Sequence, residues 1–305
     1  MKRSDGELGT ERIPVYAVVG PTATGKSAYA VKLAKQLNGE IVSGDSMQLY
    51  RGMDIGTAKA TAEEQAGIPH HLLDVADISE PFSAGRFLSL AANAIREIHG
   101  RSKLPIVCGG TGLYIELLLT GRKLTETSGD PELREELFRF AQEHGAEALH
   151  DRLRKLDAAA AEAIHPNNVK RVVRAIEICE TAGMTKSEAD QRSNEGENPF
   201  LPTIIRLTCP DRAALYERID RRVAQMFERG LENEVRSLCE RGLRETPTAS
   251  QAIGYKEFYP YFDGLHTLAE VQEEICRNTR RYAKRQETWF AHMDVQETIE
   301  VLSQT

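Results

Sequence analysis

The chain has 305 residues, of which 41% are hydrophobic and 28% charged, with 23 glycines and 12 prolines. These proportions exclude a disordered chain, a collagen-like repeat and a disulfide-stapled miniprotein, and the length suits about two domains. A net charge of −7 argues against binding nucleic acid over the whole surface, so any such footprint has to be local.

In chain order, Val15-Tyr16-Ala17-Val18-Val19 reads as a buried strand, followed by a glycine-rich turn and a helix to about Leu37. Glu40 to Ser43 reads as a second short strand, Phe87 to His99 as a helix, and Pro105 to Cys108 as a third strand. Strands alternating with helices predict a parallel sheet covered on both faces. After Gly121 the pattern turns helical and charged through about residue 195, without a convincing strand, and runs into the polar tract Ser187 to Pro199. Thr203 to Thr208 is one further strand, and helical patterns then resume to the C-terminus. With Gly20 to Ser27 fitting the phosphate-loop pattern G-x-x-x-x-G-K-[ST] after the first strand, the predicted fold class is α/β: a P-loop NTPase-like parallel sheet core over 1–120 and 201–305, interrupted by a helical insertion over 121–200. The opening stretch Met1 to Arg12 is polar, and no run of about 18 apolar residues would cross a membrane. The five cysteines, Cys108, Cys179, Cys209, Cys239 and Cys276, form no Cys-x-x-Cys pair. A reduced cytoplasmic setting is expected, with neither zinc site nor disulfide framework.

Gly20-Pro21-Thr22-Ala23-Thr24-Gly25-Lys26-Ser27 fits G-x-x-x-x-G-K-[ST] between a strand and a helix. Its glycines let the backbone wrap a phosphate chain, so that N–H groups and the helix N-terminus face the anion. Lys26 is expected to neutralise the outer phosphate and the Ser27 hydroxyl to ligate Mg²⁺. The loop signals a diphosphate or triphosphate without naming the reaction.

Two further turns belong with it. Ser43-Gly44-Asp45-Ser46-Met47-Gln48 follows the second strand, at the sheet rim where ligands bind in doubly wound folds. Asp45 either caps a turn through its carboxylate, or holds Mg²⁺, or accepts a proton; Ser46 and Gln48 offer further polar contacts. Cys108-Gly109-Gly110-Thr111-Gly112 ends the third strand, with Thr111 placed to cap a helix or to donate to an oxyanion.

Two basic faces stand out in this acidic chain. Lys170, Arg171 and Arg174 cover a helical arc of roughly 100° opposite Val169, Val172, Val173 and Ile176. Arg277, Arg280, Arg281, Lys284 and Arg285 lie within roughly 140° of one helix face with no acidic residue among them. Such charges repel unless an anion lies against them, which points to a phosphate-backbone footprint. On the helix from Asp211 to Arg229, Arg218, Arg221 and Arg222 are mixed with Glu217 and Asp220, and composition alone reads them as surface ion pairs.

Together these motifs resemble those of the bacterial tRNA dimethylallyltransferases, also called tRNA isopentenyltransferases. The resemblance runs through most of the chain. It rests on Gly20 to Ser27, Asp45 to Lys59, Pro69 to Asp74, Gly109 to Tyr114, His165 to Asn168, Ile253 to Glu257 and Thr279 to Gln286. It implies transfer of a dimethylallyl group from dimethylallyl diphosphate to N6 of the adenosine 3′ of the anticodon, tRNA position 37, with release of diphosphate. It further implies that the phosphate loop holds the prenyl donor's diphosphate without ATP hydrolysis, and that Mg²⁺ is the cofactor. Asp45 then becomes the base, and Arg222, selected by the resemblance alone, stabilises the leaving diphosphate beside Lys26. Thr111 contacts the target nucleotide or the diphosphate. The tRNA-binding set is Asp45, Ser46, Met47, Gln48, Thr111, Lys170, Arg171, Arg174, Arg277, Arg280, Arg281 and Lys284, with the insertion gripping the anticodon stem-loop. No protein or membrane partner is implied.

Three other readings account for less. A small-metabolite kinase explains Lys26, Ser27 and Asp45 but leaves the basic C-terminal face idle. An adenylate isopentenyltransferase gives the insertion and both basic faces no task. A non-catalytic tRNA-binding protein has no use for an intact Gly20, Gly25, Lys26 and Ser27.

Overall fold

The computed structural model describes residues 12–122, 129–194 and 197–301. The polar opening stretch before Arg12 lies outside them, as do Glu195 and Gly196 of the polar tract. The chain forms two compact units, one of Met1–Thr120 with Asn198–Thr305 and one of Gly121–Glu197.

The first unit is built on a six-stranded, wholly parallel sheet. Its strands are β1 (Ile13–Val19), β2 (Gly39–Ser43), β3 (His70–His71), β4 (Leu104–Cys108), β5 (Phe200–Thr208) and β6 (Glu297–Glu300), in the order β3-β2-β4-β1-β5-β6. The helices are α1 (Lys26–Leu37), α2 (Ala62–Gln65), α3 (Ala84–Gly100) and α4 (Gly112–Thr120), then α10 (Arg212–Glu228), α11 (Leu231–Glu240), α12 (Tyr259–Phe262) and α13 (Leu268–Phe290). The second unit supplies α5 to α9 (Pro131–His144, Ala146–Leu156, Ala158–Ala163, Val169–Thr181, Lys186–Asn194). Among the described residues no helix is long and apolar enough to cross a membrane.

Apolar runs place the central strands. Val15, Ala17, Val18 and Val19 of β1 and Ile106 and Val107 of β4 are fully buried, as expected of parallel strands covered on both faces. On α13, Val271, Ile275, Cys276, Ala283 and Phe290 form the buried stripe. Its start is fixed by a capping box between Thr267 and Glu270, and loss of such a cap costs about 1 kcal/mol.

Two strands escape the sequence reading. β3 has only two residues, paired with β2 through Ile41 and Val42. β6 reads Glu-Thr-Ile-Glu, polar at an exposed sheet edge, where no apolar run is required. The predicted helical continuation to the C-terminus therefore gives way after Phe290 to an edge strand. His71 is a framework residue, and His70 Nδ1 lies 2.8 Å from Ile68 O. His71 Nε2 lies 2.7 Å from a carboxylate oxygen of the buried Glu40, which Arg101 (2.7 Å) and Lys103 (3.1 Å) also contact. Burial raises the Glu40 pKa, but the bonds from Arg101, His71 and Lys103 outweigh it and hold the carboxyl down at about 2.

In the second unit, Leu137, Leu149, Leu153, Val172, Val173 and Ile176 form a core of their own. The buried Glu177 is held by Arg134 (2.7 Å), by Arg174 and by the Asp130 N–H (2.8 Å). The start of the polar tract is not a loop here but the body of α9.

Candidate diphosphate and acceptor site

Register brings the site together. Cys108, the last residue of β4, pairs with Val18 of β1 on one side and with Ser43, the last residue of β2, on the other. The loops that follow these three strands therefore leave the same rim side by side: 20–25, 44–48 and 109–111. Main-chain bonds lock them, from Gly44 N–H to Cys108 O (2.8 Å), Gly109 N–H to Val18 O (3.3 Å) and Thr111 N–H to Gly44 O (3.2 Å).

The first loop is shaped for an anion. Gly20 has φ +140°, and a Cβ there would lie 2.1 Å from Leu207 O, so only glycine fits. Ala23 and Gly25 both adopt left-handed φ (64° and 85°), which folds consecutive N–H groups toward one point. For alanine that conformation costs about 1–2 kcal/mol. Arg218 on α10 offsets part of it by donating from Nε to Ala23 O at 2.8 Å. No side chain caps the N-terminus of α1, whose free N–H groups and dipole are thus turned to the loop. Lys26 donates to Pro21 O (2.6 Å), while Ser27 stands exposed at the loop's edge.

Around this loop the charges are sparse and close enough to act on one another. Arg222 on α10 is half-buried and makes no hydrogen bond or ion pair among the described residues. It lies within electrostatic reach of Asp45, and Lys26 feels both. Burial, then the Arg222 charge, pull the Lys26 pKa down to about 8 against the opposing pull of Cys108, Asp45 and Glu287. Burial raises the Cys108 thiol to about 11, so it stays protonated at neutral pH and serves no nucleophilic step.

Asp45 has two roles divided between its oxygens. Oδ1 accepts from the N–H groups of Met47 (2.8 Å) and Gln48 (3.3 Å), which is the turn-capping role the sequence left open. Among the described residues the other oxygen accepts nothing. Pinned by the turn, it is left without a partner, within electrostatic reach of Lys26 and Arg222. Thr111 Oγ1 accepts from Ser46 N–H at 2.9 Å and donates to Ser46 Oγ at 3.2 Å, tying the turn after β4 to the Asp45 loop. Gln48 is committed to the scaffold, its Oε1 accepting from Ser43 Oγ (3.2 Å) and its Nε2 donating to Thr57 O (3.2 Å). Met47 packs half-buried on the main core.

Residues that spacing undervalued complete the rim. Arg218, read as a surface ion pair, is a clamp on the phosphate loop. Gln286 on α13 is 5% exposed; it accepts from Thr22 N–H (2.9 Å) and donates to Gly110 O (2.9 Å), spanning two of the three loops. Tyr282, one turn earlier, donates to the same carbonyl at 3.3 Å. Burial, reinforced by Asp45, holds its phenol above the usual pKa and hence protonated. The available signal was a glutamine sitting on the apolar stripe of Ala283 and Phe290, a place where a polar side chain needs buried partners.

The basic faces are only partly free. Arg280 forms a two-pronged pair with Asp220, Nε at 3.1 Å, and lies over the Tyr216 ring; Arg277 pairs with Glu274 at 3.4 Å. For these two, part of the anion that the sequence required comes from the chain itself. Arg281 and Lys284 are exposed and have no acidic partner among the described residues. In the second unit, Arg174 turns inward to Glu177, while Lys170 and Arg171 are exposed.

Lys26 gives the site a pH signature. A bound diphosphate favours the ammonium form, so its binding draws a proton above pH 8, where the free site has lost one. Apparent donor affinity is expected to be flat below pH 8 and to weaken about tenfold per unit above it, until the pKa of the complex is passed. The donor's own phosphates, with a second pKa near 6, are already ionised there. Calorimetric titration from pH 6.5 to 9.5 checks this, and Lys26→Arg should abolish the step.

A parallel sheet with a phosphate loop after its inner strand β1 and a carboxylate on the neighbouring rim defines a phosphate-loop α/β protein. A family model described as IPP transferase matches residues 48–293, and the chain belongs to that family. It is 52% identical over 276 residues to the tRNA dimethylallyltransferase of Halalkalibacterium halodurans, covering 90% of this chain and 87% of the relative. With that of Bacillus subtilis it shares 50% over 283 residues, 93% of this chain and 89% of the other. Among solved structures it is similar to the full-length tRNA isopentenylpyrophosphate transferase of Bacillus halodurans, with TM-score 0.70 and 48% identity over 95% of this chain and 90% of that one. It is also similar to a eukaryotic dimethylallyltransferase acting on tRNA, with TM-score 0.81 and 31% identity over 95% and 74%.

Proposed function

We propose that the protein transfers a dimethylallyl group from dimethylallyl diphosphate to N6 of the adenosine at tRNA position 37, releasing diphosphate. The observation that carries this reading is the Asp45 oxygen without a partner among the described residues, within electrostatic reach of Lys26 and Arg222 at the phosphate loop, in a chain of the IPP transferase family. The N6 lone pair forms a bond to C1 of the prenyl chain as the C1–O bond breaks. That bond's electron pair leaves with the diphosphate, and the N6 proton passes to Asp45. Lys26, Arg222 and the loop N–H groups hold the charge that develops on the leaving oxygens. Thr111, Ser46 and Met47 border the nucleotide, and Arg218 and Gln286 keep the loops in place.

Mg²⁺ is the cation we assign. Mg²⁺ is usually bound through substrate phosphates and few protein ligands. The exposed Ser27 hydroxyl is the hard oxygen ligand at hand, and the ion supplies added charge to offset the diphosphate. The insertion unit and the basic face of α13 are assigned to the anticodon stem-loop, through Lys170, Arg171, Arg281 and Lys284, and the activity to the cytoplasm, where tRNA is found. Incubating the protein with labelled dimethylallyl diphosphate, Mg²⁺ and either tRNA or free adenylate tests the reading. Label must appear on tRNA; label on free adenylate alone would refute it.

Because Arg280 is already paired, the electrostatic test falls on its neighbours. Arg281→Ala with Lys284→Ala should weaken tRNA binding and lower the slope of log affinity against log salt by about 0.7–0.9 for each lost phosphate contact. A titration series in salt reads this directly; an unchanged slope assigns both side chains to solvent.

A further inference from the structure

A second feature adjoins the reaction site without taking part in the chemistry above. Between α4 and the end of α13 lies an open groove of about 520 Å³, lined by Glu116, Lys284, Arg285, Thr288, Trp289 and His292. Trp289 is the chain's single tryptophan, yet it is 41% exposed, an unusual place for the largest apolar side chain. Its indole packs against Gly112, where a Cβ would lie 2.6 Å from the ring. Any larger residue there would push the indole out of position. Trp289 also stands one turn beyond Gln286, which holds Gly110, and its indole packs on Gly112, next in the chain to the Thr111 that ties the Asp45 loop. The groove's walls are largely apolar, and its charged side chains are Lys284, Arg285 and the opposing Glu116. Lys284 and Arg285 are exposed without acidic partners among the described residues, and Arg285 lies over the Tyr282 ring.

We infer that this groove is a stacking site for one unpaired base of the tRNA anticodon loop, a neighbour of the acceptor adenosine, with its base on Trp289 and its phosphate beside Lys284 and Arg285. The inference rests on the tRNA reading above and names the part of the RNA held here. A flat aromatic face flanked by cations is the arrangement that grips single-stranded nucleotides, because every base has a π-face and every linkage a charge. The competing occupant is the prenyl tail of the donor. It has no charge for Lys284 and Arg285 to meet, and a five-carbon chain fills only a small part of 520 Å³. Stacking also serves the chemistry. A base held beside the acceptor cannot restack on it, so the acceptor stays extruded toward Asp45.

The single tryptophan makes the native enzyme its own probe. Titrating wild-type protein with a synthetic anticodon stem-loop should change Trp289 emission, whereas dimethylallyl diphosphate alone should leave it unchanged. Trp289→Ala should weaken stem-loop binding by roughly 5- to 150-fold, the worth of one stacked base, with donor affinity unaltered. Trp289→Phe should recover much of the loss. An abasic scan of the stem-loop should find one position, other than the acceptor, whose loss weakens wild-type binding but adds nothing in Trp289→Ala. Emission that responds to the donor alone hands the groove to the prenyl tail and overturns the proposal. So does unchanged emission with RNA bound and full affinity in Trp289→Ala, which leaves the indole as packing for Gly112. Were wild-type protein to show no stem-loop binding at all, the tRNA reading itself would fall. Active transfer to tRNA without an emission change sinks only this inference.

Discussion

Asp45→Asn should slow the prenyl-transfer step by roughly 10²- to 10⁴-fold, while both substrates still bind. Asparagine retains an oxygen that can accept from the Met47 and Gln48 N–H groups, so the turn that Asp45 caps survives. What is lost is the carboxylate oxygen that has no partner in the free enzyme. The expected deficit equals about 3–5.5 kcal/mol of transition-state stabilisation, far more than a capping bond of about 1 kcal/mol supplies. Single-turnover rates at saturating donor and tRNA across a Mg²⁺ series separate the two chemical roles. A deficit that persists at high Mg²⁺ with unchanged donor affinity marks a base. A deficit that vanishes as Mg²⁺ rises makes Asp45 a metal ligand instead.

Lys26→Ala should cost at least about 10²- to 10³-fold in transfer rate, the usual effect of removing one preorganised group from a developing oxyanion. The loss should be steep because Lys26, half-buried, has its pKa drawn down to about 8 by desolvation and places its charge at the phosphate loop. Donor affinity falls with it, whereas tRNA affinity is retained, since Arg281, Lys284, Lys170 and Arg171 are left intact. Arg222 offers the internal control. It acts on the same anion from α10, so Lys26→Ala and Arg222→Ala should be non-additive in a double-mutant cycle of transfer rates. Equilibrium binding of labelled donor and of tRNA to each variant decides the matter. Loss of tRNA affinity with normal donor binding in Lys26→Ala would contradict this division of labour.

Much of this protein was legible from the chain alone, and for a physical reason. The apolar runs of β1, β2 and β4 must be buried on both faces, and the phosphate loop needs its glycines and lysine at fixed spacing, so local sequence suffices to find them. The motif resemblance carried the family, which the 48–293 match and the relatives bear out. Tertiary structure decided what depends on partners distant in sequence. Spacing could not tell that Arg280 is paired with Asp220 sixty residues away, or that Glu177 is buried and shared by Arg134 and Arg174. Nor could it tell that Arg218 and Gln286 act on a loop 195 and 264 residues before them. The strands β3 and β6 were invisible because one is two residues long and the other is polar at an edge, so neither carries an apolar pattern. Asp45 shows the boundary most clearly. Sequence places a carboxylate after β2, but only the register of Cys108 with both Val18 and Ser43 sets that loop beside the phosphate loop. Hydrogen bonding then leaves one of its oxygens free for chemistry.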